Sequence, residues 1–412
     1  MKKSFIFYMT VASFFLDVNS QSSDPQWGIK FSGFVKSDIF YDTRQTPVSC
    51  GVREGHFYLY PDNVLPDLEG NDLNASPSFH ILSIQSRLKG DINGPDAFGA
   101  KTSGVIEAEF FGTCETDING FRLRHAFVKL DWSNVSLMVG QNWHPMFPSE
   151  SFPGTLSFNT GAPFTPFSRN PQARITLKAG TAAVQLAAYS QRDFISTGIE
   201  GPSNKYMRNS ALPGINLQAK IPLSENVTAW GGVDYKKLRP EVKTTANYET
   251  DATIGSMALF TTVRIKTNPV TVSMMGTYTQ NGTDLFMIGG YGVSEITDPL
   301  RQDKKYTTLN TASFWIDMST NGSKVTVGLF SGYCLNLGSV DEITGPVYSR
   351  GSNIDRVFRI SPRIIFTSGK VSFGTEIETT SAAYGTMQSN GKVADAKSVT
   401  NVRVLLSAIY RF

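Results

Sequence analysis

The chain has 412 residues, with 38 Lys and Arg against 35 Asp and Glu, a formal net charge of +3, and 40% hydrophobic residues at a mean hydropathy of −0.16. That near balance excludes the polybasic surface that nucleic acid demands, so no nucleic-acid partner is expected. Beyond the N-terminus no stretch reaches 18 uninterrupted apolar residues, which excludes a membrane protein of the helical kind but not a barrel, where only alternate residues meet lipid.

Residues 1–20 read as a secretory signal peptide. Lys2 and Lys3 form the positive region, Ile6 to Leu16 the apolar run, and Val18-Asn19-Ser20 the small-residue cleavage site before Gln21. The run is too short to cross a bilayer, and no Cys follows the cleavage site to carry a lipid. Residues 21–412 then form the mature chain.

Period-two alternation predicts strands near 27–42, 79–89, 103–113, 120–132, 135–143, 173–179, 182–192 and 212–221, then 226–237, 251–266, 270–281, 305–319, 323–336, 353–366, 369–383 and 398–412. That is sixteen, the even number expected of a transmembrane antiparallel β-barrel. Tight links rich in Gly, Asn, Ser and Pro fall on one side, at Asp131–Asn134, Ala179–Thr181, around Asn226, at Lys266–Pro269, Ser319–Gly322 and Thr367–Gly369. Long links near 43–78, 144–172, 193–211, 238–250, 282–304, 337–352 and 384–397 fall on the other, as external loops do. Two links break the rule, one of them long for a periplasmic turn (90–102) and the other short for an external loop (112–120). Pro362 inside a strand predicts a bulge, because proline cannot donate to the ladder.

The alternation assigns faces. Ile29, Phe31, Val35 and Ile39 face out against Lys30, Ser32, Lys36 and Asp38. Leu82, Ile84 and Leu88 oppose Gln85, Arg87 and Lys89, and Ile106, Ala108 and Phe110 oppose Glu107 and Glu109. The strand from Gly120 resists phasing, since Arg122 and Arg124 share parity with Ala126, Val128 and Leu130. So many ionisable groups on the inner wall predict a water-filled lumen that solvates them. As phased, Lys30, Lys36, Arg87, Lys89, Arg174, Lys178, Lys220, Arg359, Arg363 and Arg403 outnumber Asp38, Glu107, Glu109, Asp234, Glu376 and Glu378, the alternative being that these charges pair with one another across strands and leave a weakly selective hole.

The link 144–172 carries five Phe and six Pro with few charges (Glu150, Arg169 and His144), a composition that packs on itself and predicts an ordered loop folded into the barrel, the alternative being a loop that caps the barrel from outside. Cys50, Cys114 and Cys334 are placed near the outer rim, and Cys50 with Cys114, in adjacent external loops of an exported chain, are the expected disulfide. His56, His80, His125 and His144 show no metal-site spacing, so no metal or other cofactor is expected.

The segments Phe121-Arg122-Leu123-Arg124-His125-Ala126-Phe127-Val128-Lys129-Leu130 and Val139-Gly140-Gln141-Asn142-Trp143 resemble strands of the DcaP-like porins, within the general trimeric outer-membrane porins of Gram-negative bacteria. The resemblance implies a homotrimer in the outer membrane, surrounded by lipid and lipopolysaccharide, that conducts small anionic solutes such as dicarboxylates. It implies a constriction at the loop 144–172. The helical extension that precedes the barrel of the group's namesake has no counterpart before Trp27. On these grounds the candidate constriction and selectivity residues are Arg87, Glu107, Glu109, Arg122, Arg124, Glu150, Arg169, Arg174, Arg359 and Arg403. A non-catalytic diffusion channel is the leading function, as no Ser, His and acid cluster stands in a recognisable motif. The rival is a surface binding or adhesion protein that would use Tyr58, Tyr60 and the acids of residues 43–78.

Val402, Val404, Leu406, Ala408, Tyr410 and Phe412 share one face of the last strand, and this pattern resembles the terminal signal read by the outer-membrane assembly machinery. Replacing Tyr410 and Phe412 by Ser should prevent insertion, measured by heat-modifiable migration on gels and membrane fractionation. Normal insertion of the double variant would remove these two rings from the signal.

Overall fold

The computed structural model describes residues 27–47, 56–112 and 119–412; the leader, Cys50, Cys114 and their expected bridge lie outside the described residues. Sixteen antiparallel strands make a closed wall. They are β1 (Gly28–Asp42), β2 (in two pieces, Ser78–Leu82 and Arg87–Asn93), β3 (Lys101–Glu109), β4 (Arg122–Asp131), β5 (Val135–Trp143), β6 (Arg169–Ala179), β7 (Ala182–Tyr189) and β8 (Gly214–Pro222). There follow β9 (Val227–Leu238), β10 (Ile254–Lys266), β11 (Val270–Gln280), β12 (Asp303–Thr320), β13 (Val325–Gly338), β14 (Ile354–Ser368), β15 (Val371–Met387) and β16 (Val393–Arg411). Each pairs with its neighbours in sequence, and β1 pairs with β16 from Phe34↔Arg411 to Asp42↔Arg403, so the sheet has no edge.

Turns of two to four residues join the strands at one end from β4 onward, while the links at the other end are mostly long. The link 90–102 is shorter than its sequence suggests, since β2 runs on to Asn93 and β3 starts at Lys101, leaving a loop closed by an Ala97↔Ala100 bridge. The wall is uneven. β3 to β7 are 8 to 11 residues long, whereas β12 to β16 run 14 to 19. About 9–11 tilted residues cross a bilayer, so the tall strands project beyond it on the long-link side. The loop expected at 384–397 accordingly shrinks to 388–392. A further strand, Gly289–Asp298, pairs with the upper part of β12 and with Val347–Arg350.

Outward residues are apolar, and rings cluster at both ends of the band: Phe31, Phe366, Phe373, Tyr410 and Phe412 at the turn end, and Tyr41, Phe79, Phe110 and Phe121 at the other. Such girdles sit at the two membrane interfaces.

Two expectations of face and register are corrected, and a third irregularity is explained. In β2 the register against β1 passes from Phe34↔Arg87 to Asp38↔Leu82, so residues 83–86 hold one residue more than the partner strand. That bulge reverses the alternation: Phe79 and Ile81 face lipid, and Leu82 and Ile84 turn inward. A second bulge, where Glu107↔His125 gives way to Ala108↔Leu123, places both Arg124 and His125 inside. This is why the strand from Gly120 defies a single phase. Pro362 makes no bulge, as the register is the same on either side of it, from Ile360↔Thr379 to Arg363↔Glu376, and it lies exposed on the outer face opposite Leu329.

The clasp between the chain ends depends on one glycine. Gly33 and Phe412 exchange two backbone hydrogen bonds, 3.3 and 3.2 Å. A Cβ on Gly33 would lie 2.2 Å from the Arg87 carbonyl oxygen and 2.9 Å from the Phe412 ring. Gly33→Val should therefore destabilise closure by about 1–3 kcal/mol, the usual cost of overpacking. It should lower the temperature at which the folded gel band is lost, while Gly28→Val, where a Cβ meets nothing within 4 Å, should not.

Candidate functional site in the barrel interior

Residues 144–168 leave β5 and cross the interior to the far wall. Glu376 on β15 accepts from the Leu156 and Ser157 amides at 2.5 and 2.8 Å, and Glu378 accepts from Asn159 Nδ2 at 2.6 Å. Arg359 on β14 donates to the Ala162 carbonyl, Ser313 on β12 to that of Phe164, and Lys36 on β1 to that of Leu156. Arg264 on β10 donates to the Glu150 carbonyl, and Lys220 on β8 to the Glu150 carboxylate. A proline-rich segment has fewer amide donors than carbonyls; the carbonyls of His144, Pro148, Ser157, Asn159 and Gly161 accept from amides within it, and inward wall side chains supply partners for those of Glu150, Leu156, Ala162 and Phe164.

On the near wall, β2 to β6 bring four guanidinium groups around one carboxylate. Glu109, fully buried, is paired with Arg124 (2.5 Å), Arg122 (2.8 Å), Arg87 (3.2 Å) and Arg169 (3.6 Å). Arg124 also holds Glu107 at 2.6 Å, while Arg122 and Arg169 share Asp193 at 2.9 and 2.7 Å. Trp143 and Phe111 stack beneath this layer, with Arg169 5.0 Å and Arg124 5.6 Å from the Trp143 ring centre and Arg122 5.1 Å from that of Phe111. The opposite wall is a second system. Arg403 grips Asp42 and Arg363 grips Asp317, each through two hydrogen bonds, and Arg359 lies 3.7 Å from Glu378. Arg359 also holds the link after β1 inside, donating to the Tyr58 and Leu59 carbonyls, and Tyr384 donates to that of Pro61.

The structure thus gathers Arg87, Glu107, Glu109, Arg122, Arg124 and Arg169 into one cluster, leaves Arg359 and Arg403 across the interior, and sets Glu150 against Lys220. Arg169 is the first residue of β6 rather than part of the loop. Among the described residues Arg174 donates only to Gln172 and the Trp143 carbonyl. Asp42, Asp193, Asp284 (which pairs with Lys236 of β9) and Asp317 are partners missing from the sequence reading. The inward parity of β1 and β12 would have found Asp42 and Asp317, whereas Asp193 and Asp284 lie in loops that carry no such signal.

Two further expectations are corrected. The wall charges are not solvated singly by a lumen; most are dry and paired, because the inward loops cover them. Tyr58 and Tyr60 are buried inside the barrel rather than displayed outside. Cys334 lies toward the long-link end of β13, in keeping with its placement near the rim, and is fully buried there, facing inward between Ser313 and Val357 and packed in the central apolar cluster. Among the described residues no group of three or more His, Cys, Asp and Glu is arranged to hold a metal ion.

Three cavities flank the inward loops. One of about 630 Å³ toward the long links is lined by Arg122, Arg192, Arg350, Asp193 and Phe194. On the turn side, one of about 450 Å³ is lined by Lys36, Arg87, Glu107, Arg124 and Arg411, and one of about 410 Å³ by Glu150, Arg174, Lys178, Lys220 and Trp230. A closed sixteen-stranded barrel with an apolar outer band, short turns at one end and a long link folded inside is the architecture of an outer-membrane porin.

Solved structures carry the same fold. The chain is similar to the outer-membrane channel DcaP of Acinetobacter baumannii (TM-score 0.69, 18% identity, covering 94% of this chain and 97% of that one). It is also similar to the outer-membrane protein OmpT of Vibrio cholerae (TM-score 0.57, 11% identity, 95% and 99%) and to an anion-selective porin from Comamonas acidovorans (TM-score 0.55, 11% identity, 94% and 100%). At these identities the likeness is one of fold. No protein-family model matches the chain, and no curated protein matches it by sequence.

Glu109→Gln removes the charge at the centre of four guanidinium groups while keeping its shape. Breaking a buried ion pair from one side costs about 3–5 kcal/mol, so the variant should lose its folded gel band at markedly lower temperature and denaturant concentration. Glu150→Gln, at a half-exposed pair, should change stability by about 1 kcal/mol or less.

Proposed function

We propose that this chain is an outer-membrane porin that passes small hydrophilic solutes and prefers anions such as carboxylates. One observation carries the preference: each of the three cavities is lined by more cations than acids. Arg122, Arg192 and Arg350 line one with Asp193; Arg174, Lys178 and Lys220 line another with Glu150; Lys36, Arg87, Arg124 and Arg411 line the third with Glu107. Because Arg87, Arg122 and Arg124 are also held by Glu109, the excess rests chiefly on Arg174, Arg192, Arg350 and Arg411, which hold no carboxylate among the described residues. The sum over the whole wall is a poorer guide, because Arg359, Arg363 and Arg403 meet at least as many acids. Cations facing a cavity with low-dielectric walls focus their field into it, and guanidinium groups bind carboxylates through two hydrogen bonds. In this reading residues 144–168 are the constriction loop, residues 1–20 are removed on export, and Tyr410 and Phe412 are read by the assembly machinery. The fold's likeness to DcaP and to an anion-selective porin supports the reading, and a homotrimer embedded in lipid and lipopolysaccharide goes with it. The adhesion alternative loses its contact rings, since Tyr58 and Tyr60 point inward.

Reversal potentials in planar bilayers under a KCl gradient test the preference. Chloride should dominate at low salt, and the bias should weaken at high salt as screening sets in. Arg192→Ala with Arg174→Ala should reduce it without unfolding the barrel, because neither guanidinium holds a carboxylate among the described residues. Cation preference in the unmodified protein would overturn the proposal.

A further inference from the structure

The middle of the barrel is apolar, and its residues come from an unusual source. Five different external links each send phenylalanine rings to one point: Phe57 from the link after β1, Phe111 after β3, Phe158 and Phe167 after β5, Phe194 after β7, and Phe286 after β11. Phe57 is the hub. Its ring centre lies 4.3 Å from that of Phe286, 5.0 Å from Phe167, 5.2 Å from Phe158, 5.7 Å from Phe194 and 6.4 Å from Phe111, in edge-on or tilted contact throughout. The hub position is fixed on both sides, since Arg359 holds the carbonyls of Tyr58 and Leu59, and the Phe167 amide donates to the Leu285 carbonyl at 2.8 Å. Phe194 lines the cavity on the external side, while Phe167 lines one on the turn side. The rings therefore stand between cation-lined spaces.

We infer that this phenylalanine knot is an apolar septum that limits permeation and ranks solutes by how readily they shed water. The inference rests on the porin reading. Cationic cavities on each side decide which sign of charge enters, but a layer of rings offers no hydrogen bond to replace a hydration shell, so crossing costs most for strongly hydrated ions. Sign selection and passage are thus assigned to different residues.

Single-channel recordings on the full chain test this with potassium salts of chloride and thiocyanate, the latter weakly hydrated. The unmodified protein should favour thiocyanate well beyond the ratio of the two mobilities in water. Phe57→Ser with Phe286→Ser should raise chloride conductance severalfold and bring the ratio toward the free-solution value, with insertion checked by heat-modifiable migration. If the double variant does not insert, Phe194→Ser, at the cavity edge of the knot, should move both quantities in the same direction. A conducting protein whose conductance and ion ratio are unchanged by the inserted variants would overturn the septum and leave the porin reading standing. Inserted protein and variants that are equally silent would overturn both.

Discussion

A strand in hydrocarbon has no water to satisfy its amide and carbonyl groups, so every backbone group at membrane depth needs a partner within the protein. The pairing of β1 with β16 meets that demand at the seam, and the remaining features follow from the closed ladder. Closure fixes which face of each strand meets lipid, and a one-residue slip would turn Lys36 and Asp38 outward in place of Val35 and Ile39. The fit at the seam is close. Phe412 pairs with a glycine whose lack of a side chain leaves room both for the Arg87 carbonyl and for the terminal ring.

Once the wall is closed and links fold into it, the inner charges lose water and must find each other. Isolated buried charges cost several kcal/mol each, and a buried pair contributes little net stability while being costly to break. The cluster around Glu109 is better understood as a geometric device than as a source of stability. Four arginines from three strands (β2, β4 and β6), sharing three carboxylates, tie those strands to Glu107 and Glu109 of β3 at fixed spacing and set three of their guanidinium groups against Trp143 and Phe111. On the far wall the acids Glu376 and Glu378 do the reverse, receiving amide donors from the loop that crosses to them. The same residue types serve as a scaffold for a loop on one side and for a surface on the other.

Strand number, the position of the turns and most face assignments were legible because alternation is imposed locally and repeats sixteen times. What escaped was whatever one inserted residue could invert. Residues 83–86 and the pair Arg124 and His125 each carry a bulge, and beyond it the sequence pattern is intact but out of phase. The charged wall itself was legible, whereas its pairing was not, because Asp193 and Asp284 come from loops whose path has no periodicity. The aromatic content of 144–168 marked it as an ordered segment, yet nothing in its composition says that Phe57, Phe194 and Phe286, up to 229 residues apart, would meet it.

The inward loops reconcile two demands that conflict in a wide barrel. A sixteen-stranded wall has a large perimeter and would enclose an open aqueous bore if its loops stayed outside. Filling the bore with polar loops would require every carbonyl to find a donor, which the walls can provide only along their own inward side chains. The chain uses both resources: loop segments touching β8, β10, β12, β14 and β15 are hydrogen-bonded to wall residues, while phenylalanine rings, which need no donors at all, meet one another and inward apolar side chains of the wall. Apolar packing at the axis and polar anchoring at the perimeter are what this geometry favours for an ordered interior, and charge is left to face the cavities that remain.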